Sequence, residues 1–342
     1  MKDSNLKKKN NIIKKIFIKI CRFFNLEIID QANFYLPVTE QKGDESLSIL
    51  GKKSITIPMG KINIKRQVKS LDIILRTCSS VNMLTQNKKR LFEKDKSEYI
   101  LRSLNSIIKS LNHSAEDLKK IKIKITVIDH NSSVKMIESI NKMLSNNYFK
   151  FEIINLDMSK FVDHIDKLNE EKKPVSNNQL SNMSNIHQSF ILGKKCEDLV
   201  YFVEDDYIHS KKSFKEIIST YEKFSSILEK EIFICPADYP YLYTYPENTK
   251  IFLGDKKHWR IVNQTLCTFL TSQKMIDKYF EKLISMCKLE HYPFEKPLHE
   301  IYEKEYCFSP IPSLAMHCTN LNSSYGLPPN INLKKLWDEN EV

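Results

Sequence analysis

A chain of 342 residues, 41% of them apolar, with 18 Phe and 15 Tyr can bury a large core, and its six Gly form no G-x-G-x-x-G or Walker-type phosphate loop. The net charge of +11 is concentrated at the start: residues 1–24 hold eight Lys or Arg against Asp3, a local +7 that leaves +4 for the rest, so the body lacks the charge expected of a nucleic-acid binder. The eight Cys form no C-x-x-C pair, which argues against a disulfide frame or zinc site. No run of about 18 apolar residues predicts a membrane-spanning helix, and no small-residue cleavage site marks a signal peptide.

In chain order, residues 1–11 are expected to be disordered, and IIKKIFIKICRFF (12–24) has helical spacing. Ile12, Ile13, Ile16, Phe17, Ile20, Phe23 and Phe24 share one face; Lys14, Lys15, Lys19 and Arg22 mostly take the other. Such a basic amphipathic helix either packs on its own domain or lies on an anionic membrane surface. Residues 25–70 read as an arm or hairpin, with loose alternation over 49–65. From residue 71 the pattern is regular: strands at 71–78, 123–133 and 151–156, helices at 92–112, 134–146 and 178–195. A strand at 199–206, a helix at 211–229, strands at 232–240 and 265–272 and a helix at 273–288 follow. The alternation predicts an α/β fold, a mostly parallel sheet with helices on both faces, behind the N-terminal amphipathic helix.

The most informative run is LVYFVEDDYIH (199–209). An apolar segment with the character of a buried strand ends in Glu204, Asp205 and Asp206. Like charges gathered at a strand's C-terminal end repel one another unless a cation sits there. Open α/β sheets bind ligands at that end of their strands. A hard divalent metal holding a phosphate suits the site. On an extended strand end Glu204 and Asp206 point to one side and Asp205 to the other; the structural alternative is capping of the following helix.

Taken together, LRTCSS (75–80), VIDHNSS (127–133), the Asn-containing helix and acidic strand of 177–206, and SLAMHCTN (313–320) resemble, in order and spacing, the GT-A-type glycosyltransferases, most closely their family 2 group. The resemblance covers about 71–320. It divides the chain into a basic segment (1–24), an arm (25–70), a GT-A-type (Rossmann-like) catalytic domain (71–325) and a C-terminal tail (326–342). It implies transfer of a sugar from a nucleotide-diphosphate donor to a glycan or lipid-linked acceptor, with inversion at the anomeric carbon. Arg76, Thr77, Asp129, Asn131, Glu204 and Asp205 are the implied donor-binding residues. Asp206 and His317 are the implied ligands of Mg²⁺ or Mn²⁺. The acidic motif is not a strict D-x-D, and the family's Q-x-x-R-W motif and E-D pair are absent.

An inverting transferase needs a base to take the acceptor hydroxyl's proton, and three candidates stay open: Glu295, Glu300 and Asp238. The structural alternatives are a turn role for Asp129, a core role for His317 and a solvated helix face for the glutamates. PADYPYLYTYPEN (236–248), with four Tyr and three Pro, and Trp259 could form an acceptor wall, since aromatic faces stack on sugar rings; a rigid packed loop is the alternative. The competing functions are another metal-dependent phosphate enzyme, such as a nucleotidyltransferase, and a non-catalytic protein that keeps the fold. If the enzyme reading holds, the expected location is cytoplasmic and peripheral on the inner membrane face.

Overall fold

The computed structural model describes residues 12–24, 62–80, 92, 94–246, 248–318 and 323–342. The expected disordered start (1–11) and nearly all of the expected arm (25–61) lie outside the described residues. Contacts divide the chain into two units, residues 1–65 and 66–342. In the first, α1 (Ile12–Phe23) forms as the spacing predicts, with Ile16, Phe17, Ile20 and Phe23 exposed.

In the second unit, β1 (Ser70–Thr77), β2 (Lys122–Asp129) and β3 (Lys150–Asn155) alternate with α2 (Lys96–His113), the short α3 (Ala115–Leu118) and α4 (Val134–Leu144). In β1 the consecutive residues Ile73, Ile74 and Leu75 are all buried, the signature of a strand covered on both faces. Then come α5 (Asn177–Gly193), β4 (Leu199–Glu204), β5 (Tyr207–His209), α6 (Ser213–Leu228) and β6 (Phe233–Ile234). Strands β7 (Ile251–Leu253), β8 (His258–Ile261) and β9 (Phe269–Ser272) precede α7 (Gln273–Lys278), α8 (Phe280–Lys288) and α9 (Lys296–Tyr302). Strands β10 (Cys307–Ile311) and β11 (Ala315–His317) and helix α10 (Leu333–Asp338) complete the unit.

Nine strands form one sheet in the order β3-β2-β1-β4-β9-β6-β10-β8-β7. The first four are parallel; β9 and β8 run against their neighbours, so the sheet is mixed on its second half. Helices α2, α4 and α6 form one layer, and α5, α7 and α8 another, with α5 lying on β1 and β2. The expected strand at 232–240 shrinks to two residues, and the expected helix at 273–288 breaks at Tyr279. Pairing to β9 and β10 limits the first.

The C-terminal segment is part of this body. Trp337 of α10 stacks on Phe92 with centroids 4.1 Å apart, and the Arg102 guanidinium sits 4.6 Å over its ring. Arg102 also donates to the Trp337 carbonyl at 2.7 Å. The α10 end is therefore tied to α2, the helix whose first residue reaches the strand-end cluster described next. All eight cysteines are free. Among the described residues no helix is long and apolar enough to cross a membrane.

Candidate active site

Parallel register assembles the site. Pairing of β1 with β2 sets Thr77 beside Asp129, and pairing of β1 with β4 sets Arg76 beside Glu204. The chain's polar strand ends thus converge on one edge. Thr77 Oγ1 donates to Asp129 Oδ1 at 2.7 Å. The turn after β2 closes on the same carboxylate: Ser132 donates from its N–H at 3.0 Å and its hydroxyl at 2.6 Å. Asn131 supplies the left-handed φ of 59° that this turn needs, and its side chain is exposed. Ser133 then caps α4 by accepting from the Met136 N–H at 3.3 Å.

The three acids after β4 do not share one cation. Strand geometry ends at Glu204 and the chain turns at Asp205 and Asp206, so the alternation expected of an extended end does not apply to them. Glu204 pairs with Arg76 at 3.1 Å, Asp205 with Lys96 at 3.2 Å, and Asp206 with His317 Nε2 at 3.3 Å. Their mutual repulsion is therefore offset by three separate protein cations, which corrects the argument that the cluster by itself demands a metal. Asp205 also accepts from the Cys78 N–H at 3.3 Å. Burial and then Lys96 act in opposite directions on Asp205; burial wins and its pKa is raised. Burial likewise opposes the charge of Arg76, but Glu204 and, behind it, Asp205 and other neighbouring groups together outweigh it, and its pKa is raised.

His317 lies at the end of β11, which pairs with β5 so that His317 faces Tyr207; the two rings stack 4.7 Å apart. Its Nδ1 lies 2.8 Å from the Tyr325 carbonyl and so donates to it, which turns Nε2 toward Asp206. Burial alone would lower its pKa, but the Asp206 carboxylate pushes it up to about 9. Thr319 and Asn320, which end the sequence motif around His317, lie outside the described residues.

Among the described residues no group of three or more His, Cys, Asp and Glu gathers as a metal site. Asp206 and His317 nevertheless offer one hard oxygen and one imidazole nitrogen side by side. That set suits Mn²⁺ or Mg²⁺ when phosphate oxygens and water complete the coordination.

The three base candidates separate. Glu295, the residue before α9, sits with Cys267 Sγ 3.8 Å from its carboxylate. Burial first, then the Glu204 charge, pushes its pKa up to about 7. Glu300 faces outward on α9 in an ion pair with Lys282, which lowers its pKa; it shares a surface groove with Tyr279 and Lys304, not with the strand-end cluster. Asp238 is fully buried, bound by Arg260 and Tyr243. Its charge is committed inside the domain, away from an incoming hydroxyl.

Trp259 is also committed inside. It is fully buried, its Nε1 donates to Glu216 at 3.2 Å, and that carboxylate also accepts from the N–H groups of Asp255, Lys256 and Lys257. It cannot form part of an acceptor wall. Residues that sequence reasoning did not single out complete the edge: Lys96; Asn182, 3.4 Å from Arg76; and Thr268, whose hydroxyl accepts from the Glu204 N–H at 3.1 Å. The Asn-containing helix was the one signal for Asn182. Nothing in the local sequence marks Lys96 or Thr268, which come from elements far along the chain.

No protein-family model matches the sequence, and no curated protein matches it. Among solved structures the chain is similar to several glycosyltransferases. One is the galactosyltransferase LgtC in complex with donor and acceptor sugar analogs, at 11% identity over 68% of this chain and 70% of that one, TM-score 0.33. Another is mouse xyloside xylosyltransferase 1, at 10% identity over 69% and 83%, TM-score 0.40. A third is the bifunctional glycosyltransferase WbbM, at 8% identity over 70% and 37%, TM-score 0.37.

Proposed function

We propose that this chain transfers a sugar from a nucleoside-diphosphate donor to a hydroxyl of a glycan or lipid-linked acceptor, with inversion at the anomeric carbon. One observation carries the reading: Asp129, Glu204, the Asp206–His317 pair and the Glu295 carboxylate with its raised pKa meet at the C-terminal edge of the parallel strands. Thr77, Asp129 and the Asn131 turn would hold the base and ribose. Arg76 holds Glu204 in place for the ribose hydroxyls, and Asp205 steadies the turn through Lys96. Asp206 and His317 would hold a divalent cation, which when bound offsets the charge that builds on the departing diphosphate. Glu295 takes the acceptor proton as the new C–O bond forms and the bond to phosphate breaks.

A thermal-shift panel of nucleoside diphosphates tests this. One of them is expected to raise the melting temperature, and to do so only with Mn²⁺ or Mg²⁺ present, because ligand binding stabilises the folded state by mass action. No shift with any nucleotide would refute the reading.

The same proposal places the enzyme peripherally on an anionic membrane surface. In α1 the exposed Ile16, Ile20 and Phe23 follow helical spacing, with Phe17 and Phe24 exposed beside them and Lys19 on the same short helix. Apolar burial and attraction to anionic headgroups reinforce each other in such a segment. Deleting residues 1–24 is expected to move the protein from sedimenting anionic vesicles to the supernatant. Equal sedimentation of both proteins would count against this assignment.

A further inference from the structure

Tyr241 and Tyr325 come from distant parts of the chain and meet with ring centroids 5.1 Å apart at 49°. Below them lies Tyr239, buried, its ring 5.2 Å from Tyr325 and 6.4 Å from Tyr241. Tyr241 and Tyr325 themselves are only half-buried. Both hydroxyls turn to one residue: Tyr241 donates to the Gln264 carbonyl at 2.6 Å and Tyr325 to its Oε1 at 2.9 Å. Gln264 is exposed. The backbone joins the two tyrosines again, with the Tyr241 N–H donating to the Ser324 carbonyl at 2.9 Å. The rings are thus fixed before any ligand arrives, and little entropy is lost on stacking.

This platform adjoins the reacting groups on two sides. The Tyr325 carbonyl is the acceptor for His317 Nδ1. From Gln264 the chain runs to Cys267, beside Glu295, and to Thr268, beside Glu204. The Tyr325 hydroxyl is pushed up to about 12, by burial first and by the Glu295 charge second, which agrees with that proximity. We infer that Tyr241, Tyr325 and Gln264 form the subsite for an uncharged sugar ring of the acceptor. One pyranose face stacks on the tyrosines, with its hydroxyls within reach of the Gln264 amide and one of them presented toward Glu295. Tyr241, Tyr325 and Gln264 carry no charge, so the carboxylate of a uronic or sialic acid at this position would lose water without gaining a cation from the platform. The inference rests on the transfer reaction proposed above.

The test uses the full chain with nucleoside diphosphate and Mn²⁺, and as probes the methyl glycosides of galactose, glucose and N-acetylglucosamine, with methyl glucuronide as the anionic comparison. Saturation-transfer NMR is expected to show ring C–H saturation for at least one neutral glycoside and none for the glucuronide. Tyr325→Leu, Tyr241→Leu and the surface variant Gln264→Ala, which does not touch the core, are each expected to weaken that binding about tenfold. The metal-dependent nucleotide thermal shift should persist in Gln264→Ala. Equal glycoside binding by all variants, preference for the glucuronide, or no glycoside binding by the parent protein overturns the subsite. Glycoside binding that depends on these residues, with no nucleotide shift in the parent, keeps the subsite and refutes the transferase reading instead.

Discussion

Glu295→Gln is expected to slow sugar transfer by about a thousandfold, the middle of the range for losing a general base, while making the folded chain more stable at pH 8. Both effects have one cause. Burial and the neighbouring Glu204 raise the Glu295 pKa from the ordinary 4.5 to about 7. A base with a pKa near the working pH is deprotonated often enough to act and basic enough to accept the acceptor's proton. The same environment opposes the charge. Because the folded-state pKa exceeds the unfolded one, the folded state binds more protons between those values. Stability therefore falls as pH rises from about 4.5 to about 7 and is level above. Allowing for partial exposure of the side chain, the cost above pH 7 is about 2 kcal/mol, and Gln removes it.

Calorimetry at pH 5 and pH 8 should show the variant's melting temperature gaining by several degrees at pH 8 and changing little at pH 5. The parent's kcat/KM should rise with pH along a limb centred near 7, absent from the variant's residual activity. An unchanged transfer rate in Glu295→Gln, or a variant less stable at both pH values, would remove Glu295 as the base. Glu300→Gln, which breaks a surface ion pair with Lys282, should leave the rate within about twofold of the parent.

The second large effect is expected at Asp206. Asp206→Asn should abolish the metal-dependent stabilisation by nucleoside diphosphate, about 2.7 kcal/mol when ligand is present at a hundred times its dissociation constant. An amide oxygen is a far weaker ligand than a carboxylate for a hard cation that must also hold a diphosphate. The metal-free variant should lose less, about 1–2 kcal/mol, because Asn can keep a hydrogen bond to His317 but not the ion pair. Asp205→Asn is the internal comparison. Its partners are Lys96 and the Cys78 N–H, so it should keep the metal-dependent shift even if it lowers the baseline melting temperature. A metal-dependent shift of full size in Asp206→Asn, measured by the same thermal assay, would show that the cation sits elsewhere or is not needed.

Much of the frame could be read from residue patterns. The runs at 71–78 and 151–156 became β1 and β3 within a residue, and the run at 123–133 became β2, which stops four residues sooner, at Asp129, where the polar turn begins; apolar segments punctuated by polar turns mark such strands. The helices at 134–144 and 177–193 begin where Ser133 and Ser176 cap them. Strand β4 and the position of its three acids were equally plain. What local pattern missed were the short elements: β7, β8 and α10 carry three, four and six residues. Propensity summed over so few positions is outweighed by pairing and burial. Strand β9, antiparallel between β4 and β6, breaks the parallel alternation for the same reason.

The amino-acid sequence by itself therefore determined the longer strands β1 to β4 and the acids at their ends, because hydrophobic periodicity and turn chemistry act over a few neighbouring residues. The tertiary structure alone decided what each acid does. Glu204, Asp205 and Asp206 are consecutive, yet Arg76, Lys96 and His317 claim them one by one. Asp238 and Trp259 are drawn into the interior by Arg260 and Glu216, and Tyr325 is carried back to His317 from beyond β11. Those partners are set by strand register and by packing, in all but the Tyr325–His317 case between segments tens of residues or more apart, where side-chain direction depends on contacts that no local pattern encodes.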